Sequence, residues 1–534
     1  VNQKVSGINI TTSASYYIMK LLIYIICIIY INPIASSEVF WADTLISYSS
    51  ERDYPQFAAK QALGKPSVTS DFGFSAVAWS PEDESSGLEW IQLGFKNHKF
   101  AKKIFINENY NPGAIIRITA FDSKSKQTII YSNDNLNYIS SKGRIFELVL
   151  ENAIEVASLK IELQTAYIPG FNQIDAVGIA ESDISYKTEI NISKAAEFLS
   201  NPENLGNKIN SPYTEQSPII SPDGKTLFFV RDGHPENYGQ QRKQNIWYSE
   251  IQSDGTFLPS EKMPKPINNS NHNFLIGIGP GGNEIWLGNR YLPDGKAEAG
   301  ISVSYKSDQG WTFPEDVPVE PYVKNSRYLN YAMGSDGKTL ILSMQGEDSY
   351  GSNDLYVSFW DDEANIWKHP INLGSKINTA DDEHSPFFAA DGKTLYFSSA
   401  GYPGFGDSDI FYSKRLSDDW TDWSEPINLG GKINSKSWEG YYSIDAKGEY
   451  AYFVSLENSL GREDIFRVRI EKETAPEPVM LISGKVYNQK TGLPMSAKII
   501  AEELPSGKVI ARTVSNPSNG DFKVILPKGK KYGF

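Results

Sequence analysis

The sequence predicts an all-β chain: a five-bladed β-propeller flanked by an N-terminal jelly roll or β-sandwich and a C-terminal partial β-sandwich. Three observations predict it. A turn-and-strand motif recurs between residues 205 and 470, the composition favours strands over helices, and both flanks carry strand-and-turn patterns without the repeat. With 30 Tyr, 26 Phe, 11 Trp and 42 Gly in 534 residues, the chain has the side chains of short strands and the glycines of tight turns. A chain this long exceeds one hydrophobic core, so several domains are expected.

Residues 1–37 read as an export region. Met19-Lys20 precedes the apolar run Leu21 to Ile31, which Asn32-Pro33 breaks, and the small residues Ala35-Ser36-Ser37 follow. A run this short covers about half of a bilayer span, so it reads as a signal peptide cut near Ser37-Glu38, with translation starting at Met19. Tyr24, Ile25 and Ile26 before Cys27 are not the small residues of a lipidation site. No other segment is apolar enough to cross a membrane, so no transmembrane segment is expected in the mature chain. Cys27 is the single cysteine, which leaves the mature chain without disulfides or thiolate metal sites and fits a bacterial envelope protein. The net charge of −14 argues against nucleic acid as a partner.

Residues 38–182 form the first β module. WIQLGF (90–95), KIFINEN (103–109), IIRITAF (115–121), RIFELVL (144–150) and LKIELQTA (159–166) are strand candidates, separated in places by Pro-Gly turns.

Residues 188–470 carry the repeat. SPDGKTLFF (221–229), GPGGNEIWL (279–287), GSDGKTLIL (334–342), AADGKTLYF (389–397) and DAKGEYAYF (445–453) align on Gly224, Gly282, Gly337, Gly392 and Gly448. The Asp-Gly pairs suit a hairpin turn, where glycine accepts a positive φ. A second register, NIWYS (245–249), GISVS (300–304), DLYVS (354–358), DIFYS (409–413) and DIFRV (464–468), reads as the third strand of each unit. A third register, PINLGSKIN (370–378) and PINLGGKIN (426–434), closes units, with weaker copies at 265–270 and 320–326. One more copy, ENLGNKIN (203–210), stands before the first unit, and none follows the last. The N-terminal segment is therefore expected to supply the outer strand of the last blade and remove the open edges, with TEINISKAA (188–196) as the candidate closing strand. The charged, Pro-rich 471–479 reads as a linker, and 480–534 as the last, truncated module.

These residues carry family resemblances. SPDGKTLFF with NIWYS, and AADGKTLYF with DIFYS, resemble the WD-type repeats of TolB-like propellers. AWSP (78–81), WIQLGF, NPGAIIRI (111–118) and YIPGFNQIDAVGIA (167–180) resemble discoidin-like modules. Gly484-Lys485-Val486, Thr491-Gly492-Leu493-Pro494 and Asn519-Gly520-Asp521-Phe522 resemble the carboxypeptidase regulatory-like domain, an accessory sandwich without peptidase activity. The module order resembles the front of OmpA-family envelope proteins of Bacteroidetes type. That resemblance implies periplasmic, outer-membrane-associated residence (secretion is the alternative), with peptidoglycan a partner only if a longer parent carries an OmpA-like domain.

Catalytic signatures are sparse. The five histidines form no HExxH, and no GxSxG elbow or P-loop is present. Asp361-Asp362-Glu363 and Asp381-Asp382-Glu383-His384 are the candidate carboxylate sites for acid–base work or calcium, weighed against solvated acidic loops. Asn245, Asp354, Asp409 and Asp464 recur with the repeat and read as turn-bonding residues, as do Asp223, Asp336 and Asp391. Partner contacts are placed at Tyr238, Tyr402, Phe405, Asp382 and Glu383, and glycan contacts at Trp79 and Tyr110. No cofactor or metal site is assigned. The leading function is a non-catalytic envelope scaffold whose propeller binds an envelope protein. Carbohydrate binding through the first module and a propeller glycosidase or lyase are the alternatives.

Overall fold

The computed structural model describes residues 38–534 except 68–71, 134–138, 140, 188, 195, 197–199, 240–242, 322–328 and 471–474. The export segment, Met19 and Cys27, and part of the linker lie outside the described residues. The chain is all-β.

The first module is a seven-stranded antiparallel sheet system built on two long strands, Leu88–Glu108 and Arg144–Gln164, paired along their length. Their alternating apolar residues, including Ile91, Leu93, Ile104, Ile106, Leu159 and Ile161, are fully buried with Trp79 in one core.

Five antiparallel sheets follow, each taking its inner, second and third strands from consecutive segments. In the first unit these are Thr214–Ile220, Thr226–Asp232 and Asn245–Glu250. The inner strands of the other units are Leu275–Ile278, Asn330–Met333, Glu383–Phe388 and Glu439–Ile444. Each inner strand lies against that of the next unit, and the fifth returns to the first. Between units, aromatic and aliphatic side chains such as Phe397, Phe411, Trp423 and Leu355 make the core.

The third register owes its sequence to a hydrogen-bond clasp. In PINLGSKIN the last residue, Asn378, accepts from Leu355 N (2.7 Å) and donates to Leu355 O (3.0 Å), which also accepts from Leu373 N, so both backbone groups of this third-strand residue are bonded. Asn372 of the same motif donates to Asp354 at 2.8 Å, and Asp354 accepts from Tyr350 N at 2.8 Å. Asn434 repeats the clasp on Ile410, and Asn268 repeats it on Ile246. The copy before the first unit performs it on the last: Asn210 pairs with both backbone groups of Ile465, and Asn204 donates to Asp464 at 2.7 Å. Glu203–Asn204 is thereby the outer strand of the fifth sheet, paired with Asp464–Arg469. The expectation that 188–196 is this strand is corrected. Ile192 instead bridges Asn428, the outer strand of the fourth sheet. The clasp asparagines reside in 203–210, so that segment wins the edge.

The second unit departs from the pattern. Gly300 stands where the others carry Asn or Asp, so no side chain organises a loop, and the second and third strands run on into a tight hairpin at Leu292–Gly295. The last module pairs Val479–Lys485 with Asp521–Pro527 and places Lys498–Leu504 between Lys508–Val514 and Lys531–Gly533.

Candidate functional site

The inner strands of all five sheets line one cavity of about 130 Å³. Its walls are largely apolar, with Ile276, Ala332, Met333, Phe388 and Ile444 among them. At the end formed by the Asp-Gly turns, Ile525 of the last module enters the lining. Polar contacts hold that module in place. Lys523 pairs with Asp223 at 2.6 Å, Arg512 with Asp362 at 2.5 Å, and Asn283 donates to Val514 O and Asp521 O. Asp362, one of the candidate carboxylates, is thus a docking residue.

The opposite end is polar. Ser217, Asn330, Ser385 and Tyr441 occupy equivalent positions near the start of four inner strands. Three of them have positive φ, Ser217 at 51°, Ser385 at 50° and Tyr441 at 55°, each at an irregularity in strand pairing. Such a conformation costs a non-glycine residue about 1–3 kcal/mol and persists where the surroundings enforce it. The Tyr441 hydroxyl donates to Gln216 Oε1 at 3.2 Å and lies within hydrogen-bonding reach of Ser217, Asn330 and Ser385. It therefore reaches from the fifth unit to the first, third and fourth. Behind it, His384 Nδ1 meets Ser385 Oγ and Nε2 meets Ser408 Oγ, each at 2.9 Å. Its ring stacks on Trp438 with 5.4 Å between centroids. Burial pushes the His384 imidazole down to about 4, so it is neutral at physiological pH.

The carboxylates at this end serve the fold. Glu383 is fully buried and accepts from Thr379 N, Thr379 Oγ1 and Ser399 Oγ, each at 2.7 Å. Glu439 accepts the same set from Ser435 and Ser455, and Glu215 from Ser211 with Arg231 at 3.0 Å. Burial raises Glu383 well above the carboxylate range and Glu215 to about 7. Glu383 as a partner contact is therefore corrected: its position repeats in three units because it ties the strand to the preceding loop. Asp382 is half-buried and accepts from Asn353 N at 3.3 Å. Its neighbour Asp381 lies against Ala76 of the first module, and Gln56 of that module donates to Ser352 at 2.7 Å. This acidic cluster sits where the first module meets the repeat sheets.

The other sequence-derived contacts divide. Trp79 is fully buried in the first-module core with its indole N–H on Ser50 O, which corrects its assignment as a glycan contact. Tyr110 is half-buried and packs edge-on against Phe74, which is 43% exposed. Arg52 lies over Phe57, Phe74 and Phe171 beside it, at 4.2–5.0 Å from the ring centroids. Tyr402 is corrected to a packing residue: it contacts Phe397 and Phe411 and donates to Lys376 O. Tyr238 is half-buried under Lys262, 3.9 Å from its ring, and Phe405 lines an open groove with Lys432 and Lys436. Sequence reading missed Ser217, Ser385 and Tyr441. The recurring EQSP (215–218) and EHSP (383–386), polar residues inside otherwise apolar strands, are the signal that marks two of them.

No family model and no curated protein matches the chain. Among solved structures, a glycosyl hydrolase from Bacteroides ovatus is similar at 8% identity and TM-score 0.31, over 54% of this chain and 96% of that one. The family 32 carbohydrate-binding module from Streptococcus pneumoniae EndoD is similar at 7% identity and TM-score 0.22, over 27% of this chain and 100% of that one. Chitosan-binding module 1 of a Paenibacillus sp. IK-5 chitosanase/glucanase is similar at 14% identity and TM-score 0.21, over 26% and 96%.

Proposed function

We propose that the five repeat sheets are the blades of a five-bladed β-propeller, and that the chain is a non-catalytic scaffold of the cell envelope, exported and outer-membrane associated, as the OmpA-type resemblance implies. One observation carries the scaffold reading. Polar side chains of the repeat sheets are used at both ends of the central cavity to hold a further module: Asp223 and Asp362 at one, Ser352 and Asp381 at the other. A body that organises its own modules through its turns and loops is built for assembly. The carboxylates of the repeat support a non-catalytic role, since Glu215, Glu383, Glu439, Asp354, Asp409 and Asp464 all bond fold elements. The partner contacts are assigned to Tyr238, beside Lys262, and Phe405, in the groove with Lys432 and Lys436. Photo-crosslinking residues placed at these two positions in cells are expected to give one discrete envelope-protein adduct in the outer-membrane fraction. Glycosidase activity in the purified chain, with no adduct at either position, would overturn the reading.

Carbohydrate binding through the first module is the second reading, favoured by the partly exposed cluster of Phe57, Phe74, Tyr110 and Phe171 around Arg52. Glycan binding lost on Tyr110→Ala supports it, and a glycan array without signal ends it.

A further inference from the structure

The polar end of the central cavity gathers uncharged hydroxyl, amide and phenol groups from four units, which bond one another there and of which Asn330 Oδ1 also accepts from Ser385 N at 3.2 Å. Gln216, Ser217, Asn330 and Tyr441 are half-buried and so remain partly open to solvent, while Ser385 and His384 are buried behind them. Together they present hydroxyls, amides and a phenol. With the imidazole neutral, none of these six side chains carries a charge at physiological pH, in a protein of net charge −14. The belt itself offers no charge, the Glu463 carboxylate beside Tyr441 disfavours an anion, and the belt has many groups for alternate donation and acceptance. Trp438, half-buried at the rim of the same end, is stacked on His384 through one face and edge-on to Tyr441 at 5.7 Å, and adds a flat apolar ring. Its neighbour Gly440 is required by close packing: a Cβ there would lie 2.6 Å from the Trp438 ring and 3.3 Å from Ser385 Oγ. The backbone is also held in a costly form at the residues that present the belt, since Ser217, Ser385 and Tyr441 all have positive φ. Strain shared by three equivalent residues, all aimed at one axis, marks a built site rather than an accident of one turn.

We propose that this end of the cavity is a binding site for the terminal unit of a neutral saccharide, its hydroxyls bonded by Tyr441, Ser217, Ser385 and Asn330 and its apolar face set against Trp438. The cavity beneath, about 130 Å³ and with Ile525 of the last module in its lining at the far end, has the size of a ring substituent rather than of a chain, so the site reads an end. The site is separate from the aromatic cluster of the first module and stands whether or not the scaffold reading holds.

The test is calorimetric titration of the full chain with neutral trisaccharides (maltotriose, cellotriose, chitotriose), with trigalacturonate as the charged control. Binding of at least one neutral sugar is expected, weakened tenfold or more by Tyr441→Phe and by Trp438→Ala, with no binding of trigalacturonate. Ser217→Gly supplies a readout that a structural role would not give: it relieves the positive φ and removes the hydroxyl, so the melting temperature is expected to rise while affinity falls. Binding retained in all three variants but lost in Tyr110→Ala would place the sugar on the first module and overturn the proposal. Absence of binding by every neutral sugar at 10 mM (on the order of a 1–10 mM Kd limit) would overturn it as well.

Discussion

Asp354 offers a quantitative check on the clasp. Its carboxylate is fully buried, accepts from Tyr350 N and Asn372 through one oxygen, and leaves the other, Oδ1, without a partner among the described residues. Burial raises it to about 7. A carboxyl whose folded value lies above its unfolded value of about 3.9 binds its proton more tightly in the folded state. Its stabilisation is therefore complete below about pH 4 and is lost as pH rises toward 7. Between pH 5 and 8 the loss comes to about 3 kcal/mol, as an order of magnitude. Asp354→Asn keeps the accepting oxygen and removes the ionisation. The first unit already carries Asn245 at this place, accepting from Tyr238 N at 2.8 Å, so the clasp tolerates an amide. The variant is expected to match the wild type only below about pH 4, and its advantage over the wild type to grow by about 3 kcal/mol between pH 5 and pH 8, read by urea unfolding at the two pH values. His384 pulls the opposite way. Held neutral with its value lowered to about 4, it contributes stability above pH 6.5 that is lost as pH falls toward 4. Comparing variant with wild type at each pH cancels that contribution. An Asp354→Asn variant less stable at pH 8, or one with an unchanged pH slope, refutes the reasoning.

Three further outcomes follow from the same geometry. Asn378→Ala leaves Leu355 N buried without its partner, while Leu355 O keeps Leu373 N at 3.0 Å, so thermal unfolding is expected to show a loss of about 1–3 kcal/mol. Trp79→Ala is expected to cost the first module about 3–5 kcal/mol, whereas Tyr110→Ala, at the partly exposed cluster, costs about 1 kcal/mol; differential scanning calorimetry separates the two. The double variant Arg512→Glu, Lys523→Glu places like charges against Asp362 and Asp223, and limited proteolysis is expected to release the last module several-fold faster while the melting of the repeat sheets stays in place.

Much of the fold is legible in the chain because the repeat encodes the same bonds again and again. Asp-Gly at 223–224, 336–337 and 391–392 predicts turns, and Asp336 and Asp391 accept from the backbone N–H groups that follow them. The displaced copy 203–210 predicts closure of the last sheet, and its asparagines perform it. What misled was strand character: TEINIS alternates like a strand, but Glu203–Asn204 is only two residues long and is chosen by side-chain clasps, not by periodicity. The site was less legible. Acidic runs suggested Asp382 and Glu383, yet burial and strand register turn Glu383 inward, and a single sequence does not reveal which face a loop carboxylate takes. Trp79 drew notice as an aromatic, but its indole is enclosed in a core whose residues come from as far along the chain as Ile174 and Ile179. Tyr441 acquires meaning only when five distant segments meet on one axis.

Closure is the central claim, and a disulfide tests it most directly. Glu203 and Arg467 are paired across the closing strand, their side chains 2.8 Å apart, although 264 positions separate them. Paired strand positions bring Cα atoms within disulfide range of about 4.4–6.8 Å. With Cys27 replaced by serine, the Glu203→Cys, Arg467→Cys variant is expected to oxidise to a single intramolecular disulfide, seen as faster migration on a non-reducing gel. Free thiols after oxidation of the folded chain would contradict the closed ring of five sheets.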